Sequence, residues 1–382
     1  MTALAPVSVL AYPWGMTTPR YTDLAQKLPA TVPFVGPEAL VRGVGRPLVA
    51  RLGANESGFG PSPKAVAVMQ QVASELWMYG DSECHDLRAA LAKHHNVAPE
   101  NILVGEGIDG ILGNLVRLMV APGDSVVTSD GAYPTFNYHV AGFGGVLHKV
   151  PYRDDHEDPA ALLVRAEEVG AKLLYFCNPD NPMGSWHPSR IVQRMIDAVP
   201  EGTLLVLDEA YADAAPEGTA PTLDPGELRV IRLRTFSKLY GLAGLRVGYA
   251  IGAAPLIAMF DRIRNHFGIG RLAQAGALAA LQDQDWLVNV QQELQSAKSR
   301  LRDIAVEHGL HALPSGTNFV TIDCGRDGDF ARALVRELGE HDVFIRMPFV
   351  APHDRCIRVT AGPAEQLSLF DAALGTALRK LG

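Results

Sequence analysis

From about residue 101 onward, short apolar runs alternate with longer stretches in which apolar positions recur every three or four residues. The runs 102–104, 125–128, 146–150, 172–176, 203–207, 228–233 and 245–251 read as strands. The stretches 108–119, 159–169 and 188–198 read as helices between them, with a further helical stretch between residues 128 and 146. Many of the strands are apolar throughout and do not alternate. This pattern predicts an α/β fold, a mainly parallel sheet covered by helices on both faces, because both sides of each strand must then be buried. In such sheets ligands sit at the carboxyl ends of the strands, which is where chemistry is to be sought.

After about Arg271 the pattern changes. Two helical stretches, 272–281 and 286–308, are rich in Ala, Gln and Leu; short strands at 319–322, 343–345 and 356–360 and a closing helix at 364–380 follow. A smaller α+β domain is expected there. The organisation predicted is an N-terminal arm (1–45), a large domain (46–270) and a small C-terminal domain (271–382) joined by part of the N-terminal segment. The 382-residue length suits such a division. Residues 1–14 are mildly apolar, lack a basic start and are broken by Pro6 and Pro13, so they read as a ragged arm and not as a secretion signal; Met16 is an alternative start.

Composition narrows the partners. Hydrophobic residues are 47% and charged residues 20%, as in soluble globular proteins. A formal net charge of -8 argues against a broad nucleic-acid face while leaving room for a local basic pocket. No apolar run is long enough to cross a membrane. Cys84, Cys177, Cys324 and Cys356 are far apart, so buried thiols in a reducing, cytoplasmic setting are expected. His94, His95 and His353 read as surface residues, since no metal-ligand spacing accompanies them.

Four segments carry candidate chemistry. Gly105-Glu106-Gly107-Ile108-Asp109-Gly110 follows a strand and opens a helix, and Asp130 lies about 20 residues on, as in a dinucleotide site. The same glycines free backbone N–H groups for any phosphate at a helix start, and a plain strand-to-helix turn is a third reading. Thr235-Phe236-Ser237-Lys238, followed by Gly241-Leu242-Ala243-Gly244-Leu245-Arg246, places two hydroxyls, a lysine, a glycine-rich turn and an arginine after a strand. Hydroxyls and arginine suit a phosphate dianion; a lysine whose pKa is lowered suits a Schiff base. Asp208-Glu209-Ala210-Tyr211 ends an apolar strand with a carboxylate that needs a partner, either a pyridinium N–H, a helix cap or a salt bridge. Cys177-Asn178-Pro179-Asp180-Asn181-Pro182-Met183-Gly184 also follows a strand and either forms loop turns or aims the Asn181 amide at a ligand.

In this order and spacing the segments resemble the fold-type I pyridoxal-phosphate enzymes of the class I/II aminotransferases, and among them the histidinol-phosphate aminotransferase family. Residues 52–63, with Asn55-Glu56-Ser57-Gly58, resemble the family's N-terminal motif, and Cys356-Ile357-Arg358-Val359-Thr360 its C-terminal arginine motif. The resemblance implies that Lys238 carries the cofactor as a Schiff base, that Asp208 pairs with the pyridine nitrogen, and that Tyr211 and Asn181 bond the phenolic oxygen. It implies phosphate contacts from Gly107, Ile108 and Asp109 with Thr235, Ser237 and Arg246. Tyr133 would stack on the ring, with Phe136 as its rival. Tyr79 would reach the neighbouring subunit's phosphate in a homodimer, or else be a plain turn aromatic. Arg358 would grip the substrate carboxylate, Asn55 would line the substrate side, and Arg346 would bind a substrate phosphate or form a salt bridge. Three departures touch substrate identity: Gly107-Ile108-Asp109-Gly110 stands where Gly-Ser-Asp-Glu is usual, Met183 stands where Thr is usual, and Ser57-Gly58 replaces Asn-Pro.

The implied reaction transfers an amino group from a small-molecule donor (histidinol phosphate, phenylalanine or tyrosine) to a 2-oxo acid, 2-oxoglutarate. Its rivals are a decarboxylase of the threonine-phosphate type on the same scaffold, a nicotinamide-dependent dehydrogenase, and a non-catalytic binding protein.

Overall fold

The computed structural model describes residues 19–29 and 36–382. The readings of residues 1–14 as an arm and of Met16 as a start lie outside the described residues.

The chain forms β1 (Ala50–Arg51), β2 (Ile102–Gly105), β3 (Ser125–Ser129), β4 (Val146–Val150), β5 (Leu173–Cys177), β6 (Leu204–Asp208), β7 (Val230–Thr235) and β8 (Gly248–Ile251). Seven of these make one sheet in the order β2-β8-β7-β6-β5-β3-β4. Neighbours from β4 to β7 are parallel, while β8 runs antiparallel to both β7 and β2. The unbroken apolar runs have a direct explanation in β5 and β6. Leu173, Tyr175, Leu204 and Val206 point into one apolar cluster, whereas Leu174, Phe176, Leu205 and Leu207 point into another on the opposite face. Strand side chains alternate with period two, so two covered faces leave no polar positions. The covering helices start and stop on local chemistry. In Pro159–Val169, the Asp158 carboxylate accepts from the Ala160 and Ala161 N–H groups at 3.1 Å, and Gly170 closes the helix at φ 57°.

The strand expected over 245–251 begins only at Gly248, because Ala243–Leu245 form a 3-10 turn and Arg246 takes a left-handed φ of 55°. The topology also decides the glycine motif. β2 is the sheet edge and four strands separate it from β3, so Gly105–Gly110 does not start an adjacent parallel βαβ unit, and Asp130 pairs with Lys149 at 3.1 Å.

Further along, β9 (His311–Ala312), β10 (Phe319–Asp323) and β12 (Cys356–Thr360) form an antiparallel sheet with β10 in the middle, while β11 (Val343–Phe344) pairs in parallel with β1. Helices Gln284–Glu307, Gly328–Glu340 and Ala364–Leu381 pack on this part. The Ala-rich helix Arg271–Gln282 instead packs on Pro63–Val72 and His85–His95. A third apolar cluster runs from Leu87 and Tyr249 to Leu301 and Phe370, joining both parts of the chain. No helix among the described residues is long and apolar enough to cross a membrane.

Two histidines expected at the surface are not there. His353 is buried against the Tyr152 ring, with Nε2 3.4 Å from Asp155. His95 is half-buried with Nε2 2.9 Å from the Tyr249 hydroxyl, and burial holds its pKa down to about 3. A partner distant in sequence lets each imidazole leave water, and local polarity cannot reveal such a partner. All four cysteines are buried and unpaired.

Candidate active site

The carboxyl ends of β3, β5, β6 and β7 open into a cavity of about 670 Å³, closed on the far side by residues 53–55, 346–350 and Arg358. At its floor Asp208, the last residue of β6, is almost fully buried. Its Oδ2 accepts the Tyr175 hydroxyl at 2.6 Å and its Oδ1 accepts the Ala210 N–H at 2.9 Å. Burial pushes the carboxyl up to about 6, with these two donors acting in the other direction.

Lys238 extends into the same cavity from the turn after β7. Its Nζ donates to the Asn55 carbonyl at 3.2 Å and lies 5.5 Å from the centre of the Tyr211 ring. Burial, together with the Arg358 and Arg246 guanidinium groups, holds the amine down to about 8 against the pull of Asp109. Tyr211 accepts from Asn55 Nδ2 at 2.9 Å, and burial raises its phenol well above the ordinary value. Asn181 accepts from Arg358 Nη1 at 2.5 Å through its Oδ1, so its amide N–H groups are the part left to face a ligand.

One end of the cavity gathers groups that suit an anion. Helix Gly107–Met119 starts there, with Ile108 and Asp109 lining the wall. Its first N–H groups have no partner within the helix and carry the positive end of its dipole. Arg246 Nη1 donates to Ser237 Oγ at 3.3 Å, and Nη2 lies 3.6 Å from Asp109. Gly107 has φ +72°, and a Cβ there would come within 2.6 Å of the Arg246 guanidinium. Thr235 lines the wall, but its hydroxyl is engaged in the turn, donating to the Val247 carbonyl at 3.3 Å and accepting from Ser237 N–H at 3.0 Å.

At the other end Arg358 and Arg346 face each other across an antiparallel bridge, with Arg358 N–H to Arg346 carbonyl at 2.7 Å. Burial above all, with Arg346 adding to it, lowers the Arg358 guanidinium to about 10. Tyr133 lines the cavity and donates to Asp109 at 3.0 Å, whereas Phe136 stacks on Tyr175 in the core at 4.7 Å. Tyr79 is apart from this cavity: it is exposed and packs on Phe267 at 5.0 Å.

Sequence reasoning missed Tyr175, Glu157 and Asp180. The signal for Tyr175 was the β5 period, since it lies two residues before Cys177, the register partner of Asp208. Glu157 accepts from Ser129 Oγ at 2.6 Å and from the Cys177 N–H at 2.9 Å; Asp180 accepts from the Tyr152 hydroxyl and the Met183 N–H, both at 2.9 Å. Burial pushes both carboxyls up, Asp180 to about 6. Together they pin the loop that carries Asn181.

The family model of aminotransferase class I and II matches residues 48–373. The chain belongs to the class I and II aminotransferases. Among relatives of these aminotransferases, the histidinol-phosphate aminotransferase of Moorella thermoacetica is 34% identical over 362 residues, 94% of this chain and 93% of that protein. Histidinol-phosphate aminotransferase 1 of Mesorhizobium japonicum is 34% identical over 336 residues, covering 86% of this chain and 90% of that one. The crystal structure of histidinol-phosphate aminotransferase from Sinorhizobium meliloti, in complex with pyridoxal-5'-phosphate, superposes with a TM-score of 0.92 at 51% identity over 96% of this chain and 99% of that one. Aspartate aminotransferase from Thermus thermophilus with maleate, at 22% identity, TM-score 0.74 and coverage of 93% and 100%, shares the fold. The aminotransferase match spans the large sheet, strand β12 with Arg358, and the isolated bridge residue Arg346.

Proposed function

We propose that this class I and II aminotransferase binds pyridoxal phosphate and moves an amino group between a donor, histidinol phosphate or an aromatic amino acid, and 2-oxoglutarate, acting as a cytoplasmic homodimer. One observation carries the reading: Lys238, with its depressed amine, opens into the same cavity as the buried Asp208 carboxylate and the anion cradle of Gly107, Ser237 and Arg246.

The residues fit the cofactor. A Cβ at Gly107 would fill the space beside Arg246, so the cradle is kept open for an anion, and Asp208 supplies the acidic group that a ring N–H requires. Ser237, Arg246 and the N–H groups at the start of Gly107–Met119 would hold the phosphate, with Asp109 positioning Arg246 and Tyr133. When bound, the cofactor supplies a carbonyl that combines with amines and a ring that takes up electrons from the substrate carbon.

The protein does the rest. Asp208 keeps a proton at the ring nitrogen, because its carboxylate in a buried site favours a cationic partner. Lys238 can lose its proton near neutral pH and take the substrate α-proton as general base, then return it. Tyr211 and Asn181 present donors to the phenolic oxygen. Arg358 orients a substrate carboxylate with its planar fork, and Arg346 beside it adds positive charge for a second anionic group. Met347, Pro348, Phe349 and Val350 form an apolar wall that limits water at the reacting atoms. Exposed Leu76, Trp77, Tyr79 and Phe267 supply apolar surface for a second subunit.

Borohydride treatment of the protein supplied with pyridoxal phosphate is expected to fix the cofactor on Lys238. Lys238→Ala is expected to keep cofactor binding and lose transamination by several orders of magnitude, the general base alone being worth about 10²–10⁴-fold. A panel of amino donors with 2-oxoglutarate, read as glutamate formed, identifies the donor. Label on another lysine, or carbon dioxide in place of glutamate, refutes the assignment.

A further inference from the structure

Asn55 bonds to Lys238, Tyr211, Asn318 and Thr360. It is buried, with the left-handed φ of 55°. Its backbone carbonyl accepts from Lys238 Nζ at 3.2 Å and from Asn318 Nδ2 at 3.0 Å. Its side-chain Nδ2 donates to the Tyr211 oxygen at 2.9 Å. Thr360, two residues beyond Arg358, closes the set: its hydroxyl accepts from the Asn55 N–H at 3.1 Å and donates to Asn55 Oδ1 at 3.3 Å.

These bonds determine where protons lie. Thr360 Oγ1 already accepts from the Asn55 N–H, and its own proton needs an acceptor. Asn55 Oδ1 is that acceptor, so the amide is turned with its nitrogen toward Tyr211. An amide nitrogen only donates, so the Tyr211 oxygen accepts there and its own proton is left to point into the cavity that Tyr211 lines.

We propose that Asn55 is a positioning residue for the reaction: its amide, set by Thr360, turns the Tyr211 hydroxyl proton into the cavity as a donor to an anionic ligand oxygen, and its carbonyl holds the Lys238 amine beside it. This assignment rests on the pyridoxal-phosphate reading. It reaches beyond that reading in tying the segment before helix Pro63–Val72 and the strand of Arg358 to the proton arrangement at Tyr211.

The test uses the visible absorbance of the cofactor-loaded protein, titrated with pH. The titrating nitrogen lies next to the phenolic oxygen in the cofactor's own covalent structure. A donor on that oxygen draws charge from it and weakens the nitrogen's hold on its proton, so loss of the donor raises the titration midpoint. Tyr211→Phe is expected to raise the midpoint by about one to two pH units, the range for a hydrogen bond to a charged oxygen. Asn55→Asp is close in shape and tolerates the left-handed backbone, but its carboxylate accepts the Tyr211 proton and turns it away. It is expected to raise the midpoint strongly in wild type and clearly less in the Tyr211→Phe background, where only its charge acts. Thr360→Val, which frees the amide to turn, is expected to raise the midpoint by a smaller amount than Tyr211→Phe. An equal shift from Asn55→Asp in both backgrounds, or an unmoved midpoint in Thr360→Val, overturns the proposal while leaving the cofactor reading intact. A wild-type protein with no cofactor absorbance overturns both.

Discussion

The Tyr175 hydroxyl donates to the Asp208 carboxylate at 2.6 Å, from the strand beside the one that Asp208 ends. Both groups are buried, and the bond is one of two that offset the burial pressure on the Asp208 proton. The carboxylate proposed to pair with the cofactor ring therefore depends on a phenol that does not line the cavity.

That dependence has a pH signature. With the folded Asp208 raised to about 6, pyridoxal-phosphate affinity is expected to fall as pH drops through about 6, because the protonated carboxyl cannot hold a ring proton. Tyr175→Phe removes a donor to the carboxylate, raises its pKa further and moves this limb to higher pH by about one unit. Fluorescence titration of the cofactor between pH 5 and pH 8 measures it; a limb unchanged in Tyr175→Phe would remove Asp208 as its source.

Gly107→Ala tests the cradle. The substitution forces a side chain into φ +72° and a contact with Arg246, costing about 1–3 kcal/mol of backbone strain. The fold is expected to survive, seen as a cooperative melt at slightly lower temperature. Cofactor affinity is expected to fall by about tenfold or more, since Arg246 must move from Ser237. Unchanged affinity would mean that the phosphate sits elsewhere.

Arg358→Lys keeps a positive charge and loses the planar fork that now reaches Asn181 and the Gly53 carbonyl. The cofactor spectrum is expected to stay normal while the KM for 2-oxoglutarate rises, in line with about 2–5 kcal/mol for a buried charged bond. With an amino-alcohol phosphate as donor, only the oxo-acid half-reaction suffers strongly. Steady-state kinetics on both substrates decides it, and an unaltered KM for each would make Arg358 structural.

Tyr79 tests the dimer. It does not line its own chain's cavity and is exposed beside Phe267, so the proposed role at the phosphate calls for a second subunit. Mixed Tyr79→Phe and Lys238→Ala proteins, after subunit exchange, are expected to show activity above the Lys238→Ala homodimer, because one site then has both residues intact. A fully active monomer in sedimentation at assay concentration contradicts the shared site.

Some of this was legible in one dimension. The runs at 172–176, 203–207 and 228–233 implied parallel strands buried on both faces, and the residues beyond them, Asn181, Tyr211 and Lys238, were placed near the carboxyl ends because strand and loop lengths are local properties. Asp208 was recognisable because a carboxylate closing a buried strand needs a partner. The rest required tertiary structure. The glycine motif at Gly105 reads alike for a dinucleotide or a monophosphate; the strand order, with β2 at an antiparallel edge, separates them, and strand order depends on contacts between distant segments. The amide of Asn55 meets Tyr211 across 156 positions and Thr360 across 305, and Glu157 and Asp180 meet Ser129 and Tyr152 only after three strand ends converge. Hydrophobic periodicity records which face of an element leaves water. It holds no record of which polar group a buried side chain will meet there, and that pairing determines the protons at this site.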